Sequence, residues 1–283
     1  DNTNIAMTIS NSTNSGIVTG DGSVGGLVGY INKNTNMAMT ISNSVNHASV
    51  IGSGKCVGGF VGIIHDNSNM NMTASNVINN GFVSGTSNSV GGFVGHIYNS
   101  MNMVVISNFI NNGNITGSDY VGGFAGELWG NTNMTMTISN SINNGSVIGS
   151  RKYVGGFFGY IVDNKDMAMI NTNLINNGFI TGSNNVGGLV GFISGSTNMT
   201  MTISSSTNNG IVNGNSYVGG LIGQLSSSIN MTATISSSTN NGTVTGNFTV
   251  GGFVGYMNTF SSIYSMSLDI MSSANKGSVS SKQ

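Results

Sequence analysis

Val121-Gly-Gly-Phe-Ala-Gly126, then Met134-Thr-Met-Thr-Ile-Ser139, then Asn143-Asn-Gly-Ser-Val-Ile-Gly149: these segments make one period, and the rest of the chain repeats it. The glycine block Val-Gly-Gly-(Leu/Phe)-x-Gly begins at Val24, Val57, Val90, Val121, Val154, Val186, Val218 and Val250, at spacings of 33, 33, 31, 33, 32, 32 and 32 residues. Eight copies at a nearly fixed period make repetition the first fact about the fold. In the middle segment Met134, Met136 and Ile138 fall on one face and Thr135, Thr137 and Ser139 on the other, the two-residue period of a half-buried strand. In the third segment one position is branched and apolar throughout: Val18, Val50, Val83, Ile115, Val147, Ile180, Val212, Val244 and Val279. The residue before it varies freely, through Ile17, Phe82, Asn114 and Thr243, as an outward position does.

Three short strands per period of 31–33 residues, Gly/Asn/Ser turns and no helical periodicity predict an all-β fold. The architecture expected is a parallel β-solenoid (β-helix) of about eight and a half coils, forming a single domain over residues 1–283. At ~4.8 Å per coil the rod would be roughly 40 Å long. A propeller blade runs ~40–50 residues with four strands, longer than this period. The first glycine of each pair, at Gly25, Gly58, Gly91, Gly122, Gly155, Gly187, Gly219 and Gly251, is expected at a corner, where it permits close approach and positive φ. Asn-Asn-Gly is expected to turn a second corner, with Asn tolerating the left-handed region and stacked amides forming a ladder. No proline interrupts strands that must pair on both sides. Met37, Met39, Met70, Met72, Met103, Met134, Met136, Met167, Met169, Met199, Met201 and Met231 are expected inside, as adaptable fillers.

Composition narrows the function classes. Only 5% of the 283 residues are charged, against about a quarter in ordinary soluble domains, so Asn, Ser and Thr must carry the polar surface. A net charge of −1 gives no footprint for nucleic acid and no polybasic handle for anionic lipid. No apolar run approaches the ~18–20 residues of a membrane-spanning helix. The start at Asp1 lacks the pattern of a signal peptide, and a chain opening without Met is expected to be a processed or excised piece. The 38% of apolar residues argue against disorder, and the lone Cys56 excludes an internal disulfide framework.

Tyr217-Val-Gly-Gly-Leu-Ile-Gly223, together with Val186-Gly-Gly-Leu-Val-Gly191 and Ile203-Ser-Ser-Ser-Thr-Asn-Asn-Gly-Ile-Val-Asn-Gly214, resembles the GLUG repeat. The resemblance covers the whole chain in eight tandem copies. It implies an extracellular stalk or surface module of an adhesin-like protein. Phe60, Phe93, Phe124, Phe157 and Phe253 stand where that repeat usually has Leu, and the Met-Thr-Met-Thr strand lengthens the unit.

Few residues suggest chemistry. His47, His65 and His96 recur in no other copy, although His65-Asp66 and His96 lie one coil apart and could become neighbours. Asp21, Asp66, Asp119, Glu127, Asp163 and Asp166, like Lys33, Lys55, Arg151, Lys152 and Lys165, are expected at solvated turns. Paired carboxylates could hydrolyse glycosides, but the period leaves no room for the long loops that build a cleft. Gly20-Asp-Gly22-Ser-Val-Gly25 matches a dinucleotide-binding pattern without its strand-to-helix context. The methionines alternate as a core face does, with no His or Cys recurring beside them to make a metal site. No catalytic, cofactor or metal residue is therefore assigned. The outward residues Thr8/Ser10, Thr40/Ser42, Thr73/Ser75, Thr135/Thr137/Ser139, Thr200/Thr202/Ser204 and Thr232/Thr234/Ser236 would stack into a Thr/Ser array like that of ice-binding solenoids. Val104-Val-Ile106 and Ala168-Met-Ile170 interrupt it. Asn11, Asn114, Asn144, Asn241 and Asn247 are candidate glycosylation sequons, with poorer ones at Asn71, Asn133, Asn198 and Asn230.

The function expected is that of a non-enzymatic, extracellular or cell-surface rod: a filament subunit, stalk or adhesin. Its expected partners are other copies of itself, end to end or laterally, and host or matrix glycan. An ice-binding face or a polysaccharide-binding or polysaccharide-degrading helix is the alternative.

Overall fold

A computed structural model describes residues 2–86, 88–100, 102–259 and 263–281. The described residues form strands and turns, without a helix, in a parallel β-solenoid of about nine turns. The three segments of each period are present, and the glycine block is itself folded into two strands, so four long sheets run along the axis. Sheet I holds the alternating segment (Met134–Asn143 in the central coil), sheet II the segment after Asn-Asn-Gly (Val147–Gly149). Sheets III and IV hold the two halves of the glycine block (Lys152–Gly155 and Phe158–Val162). Sheets II, III and IV have nine, eight and eight strands, and every pairing is parallel between like positions, such as Val57 with Val90 and Met39 with Met72.

Burial follows the two-residue period. Met134, Met136 and Ile138 are buried, while Thr135 and Thr137 face out. The interior is divided. One core joins sheets I and IV through the methionines, Phe60, Phe93, Phe124 and Phe157. A second, narrower core between sheets II and III is made almost wholly of Val, including Val57, Val83, Val90, Val121 and Val147. Between the cores stands an amide ladder, buried at Asn46, Asn79, Asn111, Asn143, Asn176, Asn208 and Asn240 and ending at half-buried Asn14 and exposed Asn275. Each Nδ2 donates to the next Oδ1 at 2.7–2.8 Å. Most of these amides also donate to a carbonyl two residues on, as Asn111 does to Gly113 O at 2.8 Å. No polar atom of the ladder is left to desolvation, which makes a buried row of amides tolerable.

The exposed amide ladders run the other way. Asn112 donates to Asn80, Asn144 to Asn112 and Asn177 to Asn144 at 2.8 Å, each toward the preceding coil. Asn36, Asn69 and Asn76 do the same at 3.0–3.1 Å. Every rung of the main buried ladder, like Asn34 to Asn67 and Asn131 to Asn164, points to the following coil.

Three expectations need correction. The corner glycines do not use positive φ; among described glycines only Gly130 and Gly195 do. Space is the reason for them: a Cβ on Gly122 would lie 2.0 Å from Ala125 O, and one on Gly91 2.0 Å from Val94 O. Nor is Asn-Asn-Gly left-handed. Gly81 is needed because a Cβ there would meet Ala48 O at 1.9 Å, whereas the left-handed asparagines lie elsewhere, at Asn76, Asn108, Asn140 and Asn173 in mid-strand. Met103 is 39% exposed rather than buried. It pairs with Thr135, so in that coil Val104 and Ile106 take the inward places and Met103 and Val105 the outward ones.

Asn171 breaks the pattern from within. It occupies the inward place that Ile138 and Ile203 hold in adjacent coils, is 1% exposed, and neither side-chain amide atom has a partner. Asn171→Ile should therefore raise unfolding stability by about 1–3 kcal/mol, the cost of an unmade buried hydrogen bond. Gly122→Ala should lower it by about 2 kcal/mol or more, while Gly16→Ala, where a Cβ meets nothing within 4 Å, stays within about 0.5 kcal/mol. Thermal and denaturant unfolding of the three variants measures this.

Candidate functional site

Sheets III and IV meet at a re-entrant angle. A Cβ on Gly126 of sheet IV would lie 2.5 Å from Val90 N of sheet III in the preceding coil, so at this glycine row the two backbones touch. Outward side chains on either side therefore lean into one axial cleft. The sheet III wall is the row Ser23, Cys56, Ser89, Tyr120, Tyr153, Asn185, Tyr217 and Thr249, the residue before each Val. The sheet IV wall has two rows. One reads Tyr30, Ile63, His96, Glu127, Tyr160, Phe192, Gln224, Tyr256, and the next begins Asn32, His65, Tyr98, Trp129, Val162.

Seven of the eight tyrosines, the one tryptophan and two of the three histidines thus share a single cleft. Stacking makes it a ladder: His65 and Tyr98 lie 4.8 Å apart, Tyr98 and Trp129 4.9 Å, Tyr120 and Tyr160 4.5 Å. Tyr120, Tyr153 and Tyr217 sit at φ of 52°, 61° and 57°, a region that bulky residues avoid. The surrounding coils hold them there, and strain of this kind concentrates at binding surfaces.

The sheet III row has a gap where Cys56 and Ser89 replace tyrosine. It opens a recess of about 420 Å³, walled by His65, Tyr98, Trp129 and Tyr120, with Lys55 at its edge. A smaller recess of about 160 Å³, reaching Tyr160 and Asp163, shares Tyr120, Glu127 and Trp129 with it. Polar atoms meet at the floor. Ser89 Oγ donates to Glu127 Oε2 at 2.5 Å, Cys56 Sγ lies 3.8 Å from His96 Nδ1, and His96 Nε2 lies 3.6 Å from Glu127 Oε2 with no hydrogen-bond partner.

Burial rules the electrostatics here. Desolvation, with a smaller push from His65, holds His96 down to about 3, so its approach to Glu127 is not an ion pair at neutral pH. Desolvation raises the Glu127 carboxyl, opposed by the hydrogen bond from Ser89. Burial and then Glu127 push the Cys56 thiol up to about 12, which removes the thiolate a nucleophile needs. Cys56, His96 and Glu127 thus resemble a nucleophile–base–acid array in spacing but not in protonation. Among the described residues no group of three or more His, Cys, Asp or Glu has a metal-binding arrangement.

No family model, curated protein or solved structure matches this chain. The GLUG resemblance thus rests on the motifs alone.

The proximity of His65 and His96 anticipated from spacing is realised, since both line the larger recess; His47 instead bonds Asn80 on the outer amide ladder. Glu127 and Asp119 correct the expectation of solvated charges: both are buried, Glu127 on a sheet IV strand and Asp119 against Arg151 at 3.1 Å. The Thr/Ser array is in register on sheet I, with outward breaks at Met103, Val105, Ala168 and Ile170. Asn11, Asn114, Asn144, Asn241 and Asn247 are exposed. The amides of Asn144, Asn241 and Asn247 already donate along ladders. The cleft was missed in the sequence, yet aligning repeats shows it: tyrosine recurs directly before the block's Val and again directly after its last Gly, as in Tyr153 and Tyr160.

His96 titrates at its ordinary 6.5 when unfolded and near 3 when folded. Its neutral burial contributes stability that is fully present above pH 6.5 and lost as pH falls toward 3. Glu127 works oppositely, contributing below its ordinary 4.5 and losing that contribution as pH rises through its raised folded value. The melting temperature of the chain should fall between pH 6.5 and 3, and His96→Gln should flatten that fall.

Proposed function

We propose that the chain is a non-enzymatic extracellular or cell-surface rod, acting as filament subunit, stalk or adhesin in the manner of GLUG-repeat surface modules. The observation that carries this reading is the unbroken like-on-like stacking of each coil on the next. Repeats that contact chiefly their neighbours form stiff, quasi-one-dimensional bodies. Lateral self-association has support on the outer side of sheet II, where Ile17, Ile51, Phe82, Ile148, Phe179 and Ile211 are exposed. A net charge of −1 does little to keep such faces apart. The Cys56 thiol, held protonated by burial, supports the non-enzymatic part.

Small-angle scattering and electron microscopy test the reading. The expected result is a rigid rod that gains ~40 Å of length per chain or thickens by side-to-side pairing; isolated particles at every concentration would rule out a filament. Hydrolysis of any polysaccharide that is lost on Asp163→Asn or Asp166→Asn would overturn the non-enzymatic part. The in-register Thr/Ser columns of sheet I favour ice binding as a second reading, which thermal hysteresis tests directly.

A further inference from the structure

We infer that the cleft between sheets III and IV is a binding site for an extended, uncharged oligosaccharide lying along the rod axis, with one sugar ring seated in the recess at Cys56 and Ser89. This deepens the adhesin reading and rests on it for its biological setting. The recess of about 420 Å³ is of ligand-binding size. It joins a second one through shared walls, so the site suits a chain of rings rather than an isolated small molecule. A coil spacing of ~4.8 Å is close to the length of one pyranose unit in an extended chain.

The walls and the floor differ in chemistry. Tyr98, Trp129 and Tyr120 offer apolar ring surface with a polar tip, the combination that suits the C–H faces and hydroxyls of a sugar. Because the sheet III row lacks a ring at Ser89, the side of Tyr120 that faces the gap has no aromatic neighbour in its own row, while its other side stacks on Tyr153 at 5.5 Å. On the floor, the Ser89–Glu127 pair offers hydrogen-bonding oxygens to a hydroxyl, and behind it His96 Nε2 is buried without a partner.

Charge decides the class of polymer. Around the cleft Lys55, Arg151 and Lys152 stand against Asp66, Asp119, Asp163 and Glu127, with Arg151 already paired to Asp119. Single-stranded nucleic acid requires a positive groove beside its stacking platforms, and an acidic glycan requires the same. Neither is provided, and a neutral, hydroxyl-rich chain needs none.

Trp129 is the sole tryptophan and lines both recesses, so its fluorescence reports on the site without a label. The full chain is titrated with linear six-ring oligomers of glucose, mannose and N-acetylglucosamine, and with the matching two-ring forms. At least one six-ring oligomer should give a saturable change in Trp129 emission, about tenfold tighter than its two-ring form. Tyr98→Ala should weaken it about tenfold or more, and Thr202→Ala on sheet I should leave it unchanged. Ser89→Tyr fills the recess with the residue its own row carries at Tyr120, in the same left-handed backbone, and should abolish binding while the chain stays folded. Absence of a saturable change with every oligomer, persistence of binding in Ser89→Tyr, or tighter binding of a proline-rich peptide or oligouridylate would overturn the inference. Scattering on the same samples reads the rod independently, so failure of the site and failure of the rod are distinguishable.

Discussion

The whole structure obeys one constraint: each residue must tolerate its own counterpart ~4.8 Å above and below it. Charges fail that test, because a like charge on every coil would repel. Asn, Ser and Thr pass it, since an amide or hydroxyl is both donor and acceptor. Phe passes by stacking, as Phe60, Phe93 and Phe124 do at 5.3–5.4 Å. Glycine passes where nothing larger fits. The scarcity of charge is therefore a consequence of stacking rather than a separate property of the chain.

Much of the fold was legible because the same constraint writes itself into the order of residues. The alternation of Met134 to Ser139 and the constancy of Val147 and its counterparts mark inward positions, and both are buried. The corner glycines were legible in place, and of the two causes the pattern allows, close approach and positive φ, only close approach operates. Met103 failed because residue type was read without register: one residue of phase moves a side chain from core to solvent.

The cleft was less legible for a physical reason. Its floor unites Cys56, Ser89, His96 and Glu127 from three successive coils, and Cys56, His96 and Glu127 each occur once in their rows, so a search for what repeats passes over them. What distinguishes the recess is a departure from repetition. Small residues stand where later coils have tyrosine, and a solenoid becomes specific where its columns break.

The opposed ladders give the rod a direction. Within the described coils the main buried amides all donate one way along the axis and the outer amides donate the other way, so a cross-section shows hydrogens at its centre on one side and at its periphery on the other. Two such surfaces brought together head to tail would match centre to centre and rim to rim. Brought head to head, acceptors would meet acceptors in the buried column, where no water can intervene. Any extension of this stack is thereby oriented before side-chain shape is considered, much as a magnet admits its neighbour in one sense only.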